Sequence, residues 1–187
     1  MKTSDKWTLH AKNKAFLLTL GLTIWTIIVI YVLHIRPLFS SMLFFHLLLL
    51  LNTYFSVRIF DTITPKNNWG QNFWDILLLS CLIYLPLAFN SSLIFIFVNT
   101  LLFVIATLKY IFLIPLVGFS KLFFKKIRID TLGTLLCMAC MAGVIFGFDY
   151  LSFNLWAITF FLANIYVLWY KPLYKLEHHI EKYLNIK

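Results

Sequence analysis

The sequence predicts an all-α, polytopic integral membrane protein: six transmembrane helices as three antiparallel hairpins, both termini cytoplasmic, in a single helical domain over residues 1–187. Three observations predict it. The chain is 61% hydrophobic and only 12% charged, whereas a soluble domain sits near 45–50% apolar and about 25% charged. Its apolar residues fall into six runs, each of the roughly 20 residues needed to cross a hydrocarbon core about 30 Å thick. Fourteen of its sixteen Lys and Arg residues lie in four segments between or outside those runs: 1–14, 58–75, 118–130 and 171–187. The other three turns, at 34–37, 90–92 and 148–150, are almost bare of charge. Basic loops stay in the cytoplasm and bare loops cross the bilayer, so this alternation sets both the number of crossings and their sidedness. The spans must be helical, because lipid cannot satisfy free amide groups.

Helix 1 is expected at about 15–34, behind Lys2, Lys6, Lys12 and Lys14. Its apolar run is too long for a signal peptide and no small-residue cleavage site follows, so it reads as a retained span. Helix 2 covers about 37–59 and opens on Pro37, where a missing amide costs nothing. Helices 3 and 4 cover about 72–89 and 92–117, and helices 5 and 6 about 131–148 and 150–170. The bare turns are so short that each odd helix must pack antiparallel to its successor. Trp7, Trp69, Trp74 and Trp169 mark the inner boundary and Tyr31 and Tyr150 the outer one, where amphipathic rings settle at headgroup level.

Two cytoplasmic segments read as surface-lying amphipathic helices. In 118–130, Lys121, Lys125, Lys126 and Arg128 interleave with apolar residues; in the tail 171–187, Leu173, Leu176, Ile180 and Leu184 recur at helical spacing. Such helices lie on membranes or dock partners. The expected partners are a bilayer with anionic inner-leaflet lipids, and further copies of the chain or a cytosolic protein in a complex. The formal net charge of +9 is placed where it orients a membrane protein, so direct nucleic-acid binding is not expected.

Polar groups inside a membrane are where function is sought. Asn52, Lys109 and Asn164 fall about two-thirds of the way in from the outer face, with Asp75 slightly nearer the cytoplasm. Facing inward, they line a vestibule open to the cytoplasm. The competing reading has Lys109 snorkelling to the headgroups from a helix that effectively ends near Pro115. His46 lies near mid-depth, level with Thr26, Ser80 and Asn99. It is expected to lack a carboxylate at comparable depth, since no Asp or Glu is placed within the apolar part of a span.

Cys137 and Cys140 form a C-x-x-C pair inside helix 5, where apolar surroundings keep thiols inert, so they read as small packing residues. Ala139, Gly143 and Gly147 recur every four residues and put a small-residue face on helix 5, suited to close helix packing within or between subunits. No metal or cofactor is expected: the tail offers only His178 and Glu181 on one helical face, short of a ligand set. The varied 58–75 segment suits a partner surface or a substrate mouth. No Gly-rich phosphate loop, nucleophile elbow or paired-carboxylate motif occurs.

The leading functional expectation is a non-catalytic membrane subunit, a sensor or anchor that oligomerises and presents its basic face to a soluble effector. The alternatives are a small transporter or channel for an anionic solute using the Asn52, Lys109 and Asn164 level, and a lipid-active membrane enzyme. A bacterial inner membrane is the expected location.

Overall fold

The computed structural model describes residues 3–64, 68–117 and 121–170, with the side chains of residues 3–8 and of Lys121 outside that description. The tail 171–187, with His178 and Glu181, lies outside the described residues, as do 118–120. Among the described residues six helices follow one another: α1 (Thr3–Tyr31), α2 (Ser40–Ile63), α3 (Trp69–Leu87), α4 (Ser92–Val117), α5 (Lys121–Ile145) and α6 (Asp149–Ile165). A π-helical turn, Tyr166–Tyr170, continues α6. No strand occurs among the described residues, and all six helices are long and apolar enough to cross a membrane.

Several boundaries depart from the sequence reading. α2 opens at Ser40 behind Phe39, which is extended at φ −131° and ψ 143°, so Pro37 stands before the helix and not in its first turn. α2 runs on to Ile63 and α3 begins at Trp69, so much of the 58–75 segment is helical. α1 begins at Thr3. The largest change is at α5, which begins at Lys121 instead of near residue 131. The described part of the 118–130 segment is therefore no separate surface helix but the first turns of a continuous span. Its amphipathic stripe is real. Leu122, Phe123, Lys126 and Asp130, about one turn apart, are all buried, and Phe123 lies against Phe60 with ring centroids 5.9 Å apart. The stripe found a protein groove, which removes more apolar surface from water than a headgroup layer does.

The helices close into a ring. α1 packs on α2 and α3, α3 on α4, α4 on α5, α5 on α6, and α6 returns to α2. Small residues set the tightest approaches. A Cβ on Gly133 would stand 2.9 Å from Cδ1 of Phe103 on α4, and one on Gly143 would stand 2.2 Å from Oγ of Ser152 on α6. Gly147, at φ +82°, makes the left-handed turn between α5 and α6 that an L side chain resists.

Aromatic rings fill the inside of the ring at the end carrying the bare turns. Phe45 of α2 lies 5.0 Å from Trp156 and 4.6 Å from Phe160 of α6, centroid to centroid, and meets Phe95 of α4 edge-on. Large apolar side chains such as Phe16, Ile76, Phe112, Leu132 and Leu155 cover the outside of the bundle. An apolar exterior of this extent suits lipid, since soluble monomers rarely expose contiguous apolar patches beyond a few hundred Å².

Candidate functional site

At the opposite end of the bundle the ring is not filled. A cavity of about 450 Å³ opens between α1, α2, α3, α4 and α5. Its floor is apolar: Leu49, Leu82, Leu102 and Phe103 are all buried. Phe103 in turn rests on Trp156, so the aromatic core closes the cavity from below. Towards its mouth the wall becomes polar, with Asn52, Thr53, Ser56 and Asp61 on α2 and Thr64 at its C-cap. Leu49 to Asp61 spans about 18 Å of helix at 1.5 Å per residue.

Three ion pairs line this wall among the described residues. Lys14 of α1 pairs with Asp61 of α2 near the exposed rim. Lys109 of α4 pairs with Asp75 of α3, joining two neighbouring helices across the cavity wall. The two partners differ: the Lys109 side chain is 10% exposed and that of Asp75 49%. The third pair lies within α5, one turn apart, with Lys126 Nζ 2.7 Å from Asp130 Oδ1. Lys126 Nζ also stands 5.6 Å from the ring centre of Tyr110. Asp130 is 1% exposed, and its second oxygen, Oδ2, has no hydrogen-bond partner among the described residues.

Of the residues singled out in the sequence, Asn52, Lys109 and Asp75 come together on this wall. Lys109 has a carboxylate partner inside the bundle and does not snorkel outward. Asn164 is buried but lies off the cavity, its side-chain amide donating to the Phe160 carbonyl one turn back at 2.8 Å. His46 is also elsewhere, in the core beneath the cavity floor. Its Nε2 lies 2.9 Å from Thr26 Oγ1. The single Thr26 hydroxyl proton goes to the Leu22 carbonyl at 2.9 Å, so His46 Nε2 must carry the proton of their mutual bond. That leaves Nδ1 as an acceptor, and it has no partner among the described residues. Asn99 is buried and Ser80 exposed, each bonded back to its own helix.

The helix 5 face divides. Ala139 is exposed, Gly143 packs on α6 and Gly147 belongs to the turn. The buried small residues are Cys137 and Cys140, both free thiols, and neither lines the cavity. The basic face divides as well. Lys126 is buried in the cavity wall, Lys125 is half-buried with Nζ 5.9 Å from the Tyr166 ring centre, and Arg128 is exposed.

The residue that sequence reasoning missed is Asp130. The sequence reading puts it at the end of the basic 118–130 segment, whereas it lies within the continuous helix α5, on the cavity wall. The signal was present: Lys126 and Asp130 stand four apart beside Leu122, Phe123 and Ile127, a helical stripe that continues into the next apolar run. Among the described residues, no three His, Cys, Asp or Glu side chains gather as a metal site would require.

The described residues define a class: a bundle of six helices of membrane-spanning length with a polar, charge-lined cavity open at its basic end. Comparison with protein-family models, with characterised proteins and with solved structures gives no match for this chain.

Proposed function

We propose that the protein binds a small polar solute in this cavity and carries it across the cell membrane. Both termini and the cavity mouth then face the cytoplasm, as the positive-inside alternation of the loops requires, and the helices form three antiparallel hairpins. The single observation that carries the reading is the cavity itself: charged pairs built into one end of a helical ring whose exterior is apolar. Ionisable groups inside a membrane bundle are costly and mark solute or ion pathways. Burying an ion pair contributes little to stability compared with a well-packed apolar pair, so a plain anchor gains nothing from Lys126 and Asp130 at that position. The volume lies in the range of about 300–1,000 Å³ typical of small-molecule sites. An apolar floor beneath a polar mouth is the shape of a carrier open to one side.

The docking reading rested on the basic face, and the inward turn of Lys126 weakens it. The deciding experiment is paired. Small polar solutes are screened for stabilisation of the detergent-purified protein, and any hit is tested for counterflow in proteoliposomes. Saturable exchange that disappears in Lys109→Met supports the carrier. A protein that no solute stabilises, but that co-purifies with a stoichiometric soluble partner, is an anchor instead.

A further inference from the structure

Among the described residues, two of the three ion pairs on the cavity wall are unequal in exposure, and they lean in opposite directions. In the pair between α3 and α4 the cation is the buried partner, with Lys109 10% exposed and Asp75 49%. Asp75 can therefore return to water at little cost, whereas Lys109 cannot be left without an anion where burial makes charge expensive. A ligand carboxylate is a like-for-like replacement. When Asp75 leaves, one lysine of the wall lacks a carboxylate, and one bound anion restores the balance. In the rim pair the cation is the exposed partner, with Lys14 51% exposed and Asp61 20%. A cation could compete only there, on α2 about 18 Å of helix above the apolar floor at Leu49. Lys126 and Asp130 take no part, since both are buried and hold each other.

Both helices that carry the Lys109–Asp75 pair are apolar beyond it. On α4, Ala106, Phe103 and Leu102 line the cavity in succession from Lys109. On α3, Leu78, Leu79 and Leu82 do so from Asp75. Steps of three and four residues keep each set on one face of its helix. Lys109 to Phe103 is about 9 Å of helix, and Asp75 to Leu82 about 10 Å, at 1.5 Å per residue. Phe103 lies 5.8 Å from Trp156, centroid to centroid, which stops the slot at its far end. An extended alkyl chain advances about 1.3 Å per carbon, so the slot matches a tail of roughly six to eight carbons.

We propose that the cavity takes a carboxylate with an apolar tail of this length, its carboxylate on Lys109 in place of Asp75 and its tail along the α3–α4 stripes. This rests on the solute-binding reading and names the solute class. It keeps the anion that Lys109 suggested in the sequence and adds the tail, which the stripes beyond the pair supply. Binding opens the ion pair that joins α3 to α4, so occupancy is coupled to the contact between two neighbouring helices.

The experiment uses the full chain in detergent and straight-chain probes from propionate to decanoate, with the alcohol and the amine of each length. Melting temperature and calorimetric affinity are read for the wild type, Lys109→Met and Asp75→Ala. At least one carboxylate is expected to bind the wild type. Affinity should rise about fourfold per methylene as apolar surface is buried, and level off once the tail reaches the floor. Lys109→Met should weaken carboxylate binding by about a hundredfold. That variant sits in the same micelle, so partition of the tail into detergent cannot produce the difference. Asp75→Ala strands the buried lysine, so it should melt below the wild type and regain the loss when a carboxylate is added. Its carboxylate affinity should tighten about tenfold or more, because the tethered competitor is gone, while the alcohols gain nothing. Carboxylates that bind Lys109→Met as well as the wild type, or alcohols or amines that match the carboxylates in Asp75→Ala, would overturn the proposal and leave a solute-binding cavity in place. If Asp75→Ala does not fold, the wild type and Lys109→Met decide alone. A wild type that binds no carboxylate also overturns the proposal. In that case a hit among neutral or cationic solutes preserves the carrier reading, and the absence of any hit beside a stoichiometric soluble partner removes both.

Discussion

Lys126 and Asp130 stand one turn apart on α5, 2.7 Å from nitrogen to oxygen, and both are buried. On an exposed helix such a pair is worth a few tenths of a kcal/mol. Here water is excluded, and removing one partner strands the other. Lys126→Met is therefore expected to destabilise the protein by about 3–5 kcal/mol, whereas Lys126→Met with Asp130→Leu should recover most of that loss. Thermal melting of the single and double variants in detergent measures it. A single variant that melts with the wild type would mean that the pair is solvated.

Helix 5 offers a test of which small residues matter. A Cβ at Gly143 would lie 2.2 Å from Ser152 Oγ, while Ala139 faces outward. Gly143→Leu should cost about 1–3 kcal/mol or more through overpacking between α5 and α6. Ala139→Leu should stay within about 0.5 kcal/mol, as is usual for outward-facing substitutions. Combining Gly143→Leu with Ser152→Gly should restore part of the loss. Equal melting temperatures for the two single variants would show that α5 and α6 do not approach as closely as described.

Much of the architecture was legible because lipid imposes long apolar runs and charge marks their ends. α4 falls at the expected 92–117 without adjustment, bounded by the bare Ser91–Ser92 turn and the sequence beyond Pro115. α5 was misjudged by most of three turns, for a physical reason. Lysines and arginines at 121–128 look like a loop to any reading based on hydropathy, since hydropathy does not distinguish a charge facing lipid from one facing a partner inside the bundle. The same limit hid half of the site. Lys109 and Asp75 do come together on the cavity wall, but expected depth does not say which residues share a wall. Asn52 and Asn164 occupy similar levels on parallel helices, yet only Asn52 reaches the cavity. Burial follows rotation about the helix axis, which the sequence of an almost uniformly apolar helix leaves weakly specified.

The sidedness of the bundle is tested by labelling. Asn90 is exposed at the bare end, and Asn72 is exposed at the cavity mouth. In a cysteine-free background, Asn90→Cys should react with an impermeant maleimide on intact cells, and Asn72→Cys only after permeabilisation. The reverse pattern would turn the protein over and make the cavity face outward. Protection of Asn72→Cys by a bound solute would in addition report occupancy of the mouth.

Lys109 separates a working cavity from a structural one. It is 8% exposed and its only recorded ion-pair partner among the described residues is Asp75. Lys109→Met keeps the length of the side chain and removes the charge. The stranded partner is then Asp75, whose side chain is half in solvent and can be hydrated, so the usual penalty for breaking a buried pair is largely absent. A lysine within the hydrocarbon region also costs up to about 3 kcal/mol on insertion scales, a cost that methionine removes. The melting temperature of Lys109→Met is accordingly expected to equal or exceed that of the wild type. Solute binding and counterflow are expected to vanish, because the buried cation that receives the ligand is gone. A variant that is folded, stable and inactive is the signature of a binding residue. A variant that is more stable and still fully active would sink the carrier reading, since the deepest interhelical charge on the cavity wall would then serve nothing that passes through it.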